Sequence, residues 1–466
     1  NTLTLQMPGD TGVMGEIIQL DSIRVYYARK MIARDGHLSF IAEGENLSVS
    51  GLPENNVIVY RLLEGGVPVR IQSVLVDVDV DGNGYSARFM SQTTAATAYV
   101  VTSESALLKP QLEAVRLKVD IEKRADYLII AHPNFISGLA PLVAARRAEG
   151  LSVSVVDVND LYAQYSHGIF DPHAIRAYIQ YAAKNLGVKY ILLVGGDTYD
   201  YRNYLGKNSL SFIPSLYVPT GSYARFVPVD PLYTDLNGDQ LPDLAIGRFP
   251  VRTEAELELM VSKTLAYGAK DYRRTALFAT DKHDSAVSFK EISVAMEQQM
   301  PVEWAIESVH LDDLVVTSAR QQLLAAMNRG TALITFTGHS GPTSWTFNNL
   351  FNTGDATKLT NAGRPFVAVQ WGCWNNYYVE PRYNFLVQSL LLNGDRGAVA
   401  SLGAVTLTEA NSERLLGNLL TPRLAQPGMR LGDALQESKA KLAENHPGLL
   451  DILLGWTLMG DPTLVI

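Results

Sequence analysis

Residues 366–376 read FVAVQWGCWNN, a run of strand-forming residues that ends in a glycine and the single cysteine of a 466-residue chain. A second run, TALITFTGHS at 331–340, ends in a glycine and a histidine. Both lie in a long stretch where strands and helices alternate, the pattern of a mostly parallel sheet covered by helices. The other strands of this stretch are YLIIAHP (127–133), LSVSVVDV (151–158), KYILLVGG (189–196), RTALFATD (274–281) and GAVASLGA (397–404). Helical patterns fall at 139–150, 173–187, 253–269, 288–300, 317–329, 383–393, 409–420 and 430–445.

Residues 1–122 follow another rule. SIRVYYARKMIA, GHLSFIAEG, NVIVYRLLEGGVPVRI, VLVDVDVDGNGYSARFM and TAYVVTSESALL alternate apolar and polar positions between Gly, Asn and Asp turns, which predicts an all-β sandwich. KPQLEAVRLKVDIEKRAD, residues 109–126, reads as the connecting segment.

Composition excludes several functions. A net charge of -9 argues against nucleic acid or an anionic membrane as the main partner. One cysteine rules out an internal disulfide and any multi-cysteine zinc site. No apolar run reaches the roughly 18 residues needed to cross a bilayer. The start, NTLTLQMPGDTG, has no basic or apolar leader, so an exported form would have lost its signal before residue 1.

His339 and Cys373 fall at the carboxyl ends of two consecutive strands, and neighbouring strands of a sheet lie about 4.8 Å apart. A thiol becomes a strong nucleophile when a histidine takes its proton. Glycines 338, 341 and 372 let the backbone approach a substrate, with the amides of Ser340 and Cys373 as the natural oxyanion donors. A buried thiol and a satisfied structural histidine are the bland alternative for each residue alone; the shared setting at two strand ends favours chemistry. Trp345, Trp371, Trp374, Tyr377 and Tyr378 flank the pair as cleft wall or as core. Of the remaining histidines, only His283 lies in a candidate loop.

Two acidic stretches bear on cations. TDLNGDQLPDLAIG, residues 234–247, spaces Asp235, Asn237, Asp239 and Asp243 around a glycine, as in short calcium loops; an ordinary acidic turn is the alternative. Its expected role is structural, steadying a long loop that carries Tyr199, Tyr201, Tyr204, Tyr217, Tyr223 and Tyr233. Asp77, Asp79 and Asp81 alternate on one strand face before a hairpin and read as a solvated edge.

TALITFTGHSGPTSW, the strand ending QWGCWNN, GAVASLGAVTLT, AIGRFPV and the tail WTLMGDPTLVI together resemble the gingipain-type cysteine peptidases, family C25, whose fold is related to caspases. The resemblance covers roughly residues 125–466. It implies a secreted or cell-surface endopeptidase acting on protein or peptide through a His339 and Cys373 dyad. It also implies an α/β subdomain at about 123–268 and a caspase-like catalytic subdomain at about 269–466, behind the β-rich residues 1–122. An acid that orients the histidine should fall in ATDKHDS, with Asp281 first and Asp284 second. The family often has Gly after the histidine, where this chain has Ser340. Where basic-specific members carry an acid at the base of the substrate pocket, this chain has Ser288 or Phe289, so cleavage after Arg or Lys is not implied. A non-catalytic relative, stabilised by calcium and acting in binding or secretion, is the competing expectation.

Overall fold

The computed structural model describes residues 2–6, 8, 22–25, 27–91, 93, 95–110, 112, 114, 116–267, 272, 274–284 and 286–466. The chain forms two compact units, Asn1–Ala114 and Val115–Ile466.

The first unit holds two antiparallel sheets. One orders His37–Ala42, Thr97–Ser103, Val57–Leu62 and Pro68–Arg70; the other orders Asn46–Leu52, Tyr85–Met90 and Val74–Val78. Both sheets feed a single apolar cluster that includes Val49, Val59, Ala87 and Val101. SIRVYYARKMIA was expected as a strand and is not one among its described residues: Ile23, Val25 and Tyr27 are exposed, and only Ile32 makes an isolated bridge, to Ser50. Tyr26 of that stretch lies outside the described residues. Alternation without a neighbouring strand leaves backbone groups to water, and no ladder forms.

The second unit is built on one sheet of ten strands. In chain order these are β1 (Tyr127–Ala131), β2 (Val153–Asp157), β3 (Tyr190–Val194), β4 (Ala245–Phe249), β5 (Thr275–Thr280), β6 (Ala305–His310), β7 (Leu333–Thr337), β8 (Phe366–Trp371), β9 (Ala398–Ala404) and β10 (Trp456–Met459). Their spatial order is β6-β5-β7-β8-β9-β10-β4-β3-β1-β2. All neighbours are parallel except β9 and β10. The two α/β halves expected as separate subdomains therefore share one sheet, because the C-terminal strand β10 sits between β9 of the second half and β4 of the first.

Most central strands are buried along their whole length, as a sheet covered on both faces requires. The covering helices end by ordinary local chemistry. Helix α1 (Pro172–Leu186) starts on the Asp171 side chain, which accepts the His173 N–H, and stops at Gly187, whose φ of 80° suits glycine.

Candidate active site

Strands β7 and β8 are parallel neighbours, with Thr337 opposite Trp371. Each is followed by a glycine and then by the reactive residue, so His339 and Cys373 stand two residues beyond the same rung. The ladder continues past the strand ends: the Gly338 N–H donates to the Trp371 carbonyl at 3.0 Å. The Ser340 hydroxyl donates to the Cys373 carbonyl at 2.9 Å, tying the two turns together. Glycine is required at 372 because a Cβ there would lie 2.3 Å from Ser340 Oγ and 2.5 Å from the Gly338 carbonyl. At Gly338 a Cβ would lie 2.3 Å from Asp281 Cβ.

The histidine is held from three sides. Asp284 Oδ2 lies 3.0 Å from His339 Nε2, Phe289 meets the ring edge-on at 5.1 Å between centroids, and Phe347 covers it at 5.3 Å. A carboxylate on Nε2 selects the tautomer protonated there and leaves Nδ1 as the proton acceptor. Asp284 also accepts the N–H groups of Ala286 and Val287, at 2.8 and 2.7 Å. Those amides, led by that of Ala286, hold its carboxyl below the usual range.

Asp281, the first choice for this role, has another one. Its Oδ2 accepts the backbone N–H of His339 at 3.3 Å and its Oδ1 that of Lys282 at 2.8 Å, so it braces the turn rather than the ring. Burial pushes its carboxyl up.

Cys373 is half-buried. Among the described residues its sulfur bonds only to Thr408: the Thr408 N–H donates to Sγ at 3.4 Å, the Thr408 hydroxyl lies 3.8 Å away, and Sγ in turn lies 3.7 Å from the Thr408 carbonyl. Burial pushes the thiol up, and the Thr408 amide works against that shift. The next residue, Trp374, has φ of 55°, a conformation that a non-glycine residue adopts at some cost and that recurs at functional turns. Its N–H is taken by the Thr406 carbonyl at 2.9 Å.

Of the two oxyanion candidates, Ser340 lies in a narrow antiparallel pair with Trp345. The bond from Thr346 N–H to the His339 carbonyl brackets that pair, so the ladder leaves the Ser340 N–H unused.

The expected pocket residues divide. Trp374 is half-buried beside Cys373. Trp345 is 1% exposed, stacks on Phe336 and donates its Nε1–H to Gln370; it is core, not cleft. Trp371 and Tyr378 are buried as well, and Tyr377 is partly so. Phe289 is buried against the histidine. Ser288 caps the helix Phe289–Glu297 through the Glu291 N–H and lines an open groove with His283 and Asp312. His283 itself pairs with Asp312 at 2.6 Å. A hairpin of Tyr217–Val218 and Val227–Pro228 brings Thr220 to Thr406, 2.6 Å between hydroxyls, and so borders the nucleophile turn.

The residues of the acidic loop do not fit a cation. Asp235 is buried and pairs with Arg176 at 2.8 Å, while its oxygens also accept the N–H groups of Gly238 and Gln240. Asp243 accepts from Leu236, Asn237 from Asp239, and Asp239 from Leu241. The carboxylates are spent on the loop's own amides, and among the described residues no three His, Cys, Asp or Glu form a metal-holding group. Asp77 and Asp79 are likewise occupied, by Arg88 and by the Gly51 N–H with the Ser86 hydroxyl.

Thr408 and Glu413 were not foreseen. Glu413 is buried beneath Thr408, and accepts its hydroxyl at 2.9 Å and the Trp456 Nε1–H at 3.3 Å. In sequence it is one acid in the helical pattern SERLLGNLL, where charge reads as a solvated face; nothing local marks it as buried.

A wide parallel sheet bearing a cysteine and a histidine on adjacent strand ends has the build of the α/β cysteine peptidases. The family can be given: the model of peptidase family C25 matches residues 120–466, and the chain belongs to that family. Among solved structures, the complex of the pro- and mature domains of RgpB from Porphyromonas gingivalis aligns with a TM-score of 0.60 at 19% identity, covering 73% of this chain and 79% of that one. The Arg-specific cysteine proteinase gingipain R (RgpB) aligns with a TM-score of 0.61 at 18% identity, covering 75% of this chain and 79% of that one. At such identities the likeness speaks for the fold and not for the substrate. No curated protein matches by sequence. Among the described residues no helix is long and apolar enough to cross a membrane.

Proposed function

We propose that this chain is an exported cysteine endopeptidase with Cys373 as nucleophile, His339 as base and Asp284 as the acid that orients the base. The observation that carries this reading is the shared rung: strand, glycine and reactive residue repeat in register on β7 and β8. In the reaction, His339 Nδ1 takes the thiol proton as Sγ bonds to the scissile carbonyl carbon. The oxyanion rests on the Ser340 and Cys373 N–H groups. The imidazolium then protonates the leaving amine as the C–N bond breaks, and water, activated by the same imidazole, releases the acyl group and regenerates the thiol.

Substrate is expected to be an extended polypeptide lying between Trp374 and the hairpin tip at 219–226. The first unit is read as a β-sandwich accessory domain. The pocket position without an acid speaks against a requirement for Arg or Lys before the cleaved bond.

A second reading is supported by the sulfur itself, which bonds to Thr408 and is pushed towards its thiol form by burial. It makes the chain a non-catalytic relative that kept the fold. Iodoacetamide labelling with peptide-library cleavage decides. A peptidase labels at Cys373 faster than a free thiol, slows about tenfold or more in His339→Ala, and cleaves peptides. Labelling at the rate of an ordinary thiol, unchanged by His339→Ala, would sink the peptidase reading.

A further inference from the structure

Cys373 receives its polar contacts from one residue on the neighbouring strand's exit. Thr408 follows β9 and lies 35 positions after the cysteine. Its backbone serves both protonation states of the sulfur: the carbonyl lies within 3.7 Å of Sγ for a thiol proton, and the N–H, at 3.4 Å, faces Sγ as donor to a thiolate. A donor is useful only if it stays aimed, and a residue just beyond a strand has little ladder to hold it.

What holds Thr408 is Glu413, in the first turn of the helix α2 (Ala410–Leu424). The Thr408 hydroxyl donates to Glu413 Oε1 at 2.9 Å, closer than its 3.8 Å approach to Sγ. The same oxygen accepts the indole N–H of Trp456, on β10. One buried carboxyl therefore touches both β10 and the residue that faces the Cys373 sulfur. No cation pairs with it among the described residues; the acid acting on it is Asp451. A buried acid without a cation is expensive to keep for stability alone, because an apolar side chain of similar volume serves as well.

Resting on the peptidase reading for its biological sense but not for its chemistry, we infer that Thr408, tethered by Glu413, is the positioning residue that aims a backbone N–H at the Cys373 thiolate. His339 takes the proton, and Thr408 receives the charge left on sulfur.

The test is the pH profile of Cys373 alkylation by iodoacetamide, read beside the melting temperature. Thr408→Val keeps the shape and removes the tether; the thiol pKa should rise by about one unit and labelling at pH 7 slow about tenfold. Thr408→Ser restores the hydroxyl and should restore the wild-type profile. Glu413→Leu should move the profile in the same direction as Thr408→Val. A wild-type profile in Thr408→Val, or equal shifts in Thr408→Val and Thr408→Ser, overturns the inference even if both variants melt earlier. Alkylation needs no peptide cleavage, so a chain that cleaves nothing still answers this question.

Discussion

Asp281 and Asp284 are three residues apart and have different work, because one still belongs to the ladder. The Asp281 N–H donates to the Thr337 carbonyl, which fixes its side chain over the backbone of Gly338 and His339. Asp284 sits in a turn closed by its own carboxylate and reaches the ring. The family resemblance implied an acid in this stretch; which of the two reaches the ring depends on a turn that no residue pattern specifies. Asp284→Asn should lower kcat/KM by about tenfold, or about 1.4 kcal/mol, with little change in melting temperature, whereas Asp281→Asn should show its main effect in stability. Steady-state kinetics beside thermal melting separates the two. Glu413 gives a pH test. Burial raises its carboxyl to about 8, above its value in the unfolded chain, so between about pH 4.5 and 8 the native state holds a proton that the unfolded state has lost. Its contribution to stability is thus full at low pH and declines as pH rises through that window. Glu413→Gln should flatten this decline, seen as a melting-temperature difference from wild type that changes between pH 5 and 8; parallel curves would refute it.

At the scale of elements, legibility followed burial. YLIIA, ILLV and FVAVQW are almost wholly apolar and were read as strands. Strand β6, AIESVH, escaped because it is an edge with its first four residues exposed. Strand β10 escaped because WTLM is four residues long and short apolar runs carry no period. The proposed pair, His339 and Cys373, stood out in sequence because each follows a glycine at a buried strand's end. That geometry predicts the effect of Gly372→Ala: the added methyl meets Ser340 Oγ and the Gly338 carbonyl, and the two turns must part. The expected cost is about 1–3 kcal/mol in stability, with a larger fractional loss of Cys373 labelling rate. Lys263 fixes another junction. Its buried ammonium donates to the carbonyls of Leu391, Arg396 and Ala398, joining the helix Glu254–Tyr267 to the start of β9. Lys263→Met leaves those carbonyls unpaired and should destabilise by about 3 kcal/mol in urea unfolding; an unchanged midpoint would show that water replaces the lysine.

Across the whole second unit, the two α/β halves are joined by the sheet, by the buried pair of Arg146 and Asp461, and by the packing of Tyr378 against Arg248. Arg248, on β4, is 0% exposed; its guanidinium donates to Asp230 at 2.6 and 2.7 Å and to the carbonyls of Gly195 and Ile213 at 2.7 and 2.8 Å. Tyr378, five residues beyond the nucleophile, lies 5.4 Å under it, and its hydroxyl is 2.6 Å from that of Ser215. The arginine therefore holds the loops of the first half against the chain segment that leaves Cys373. An arginine arriving from a strand satisfies a carboxylate and several carbonyls at once. Breaking a buried pair by removing one partner costs about 3–5 kcal/mol, since the other charge stays buried. Asp230→Leu should reach that range, and Arg248→Met with Asp230→Leu should recover part of it, because the guanidinium is then not left buried without its bidentate carboxylate. Urea titrations of the two single variants and the double variant measure the coupling. If the halves are held as one cooperative body through this contact, each single variant should also slow Cys373 labelling, and the double variant should unfold in one transition. A single variant that loses stability while labelling at the wild-type rate would show that the pair supports the fold without reaching the nucleophile.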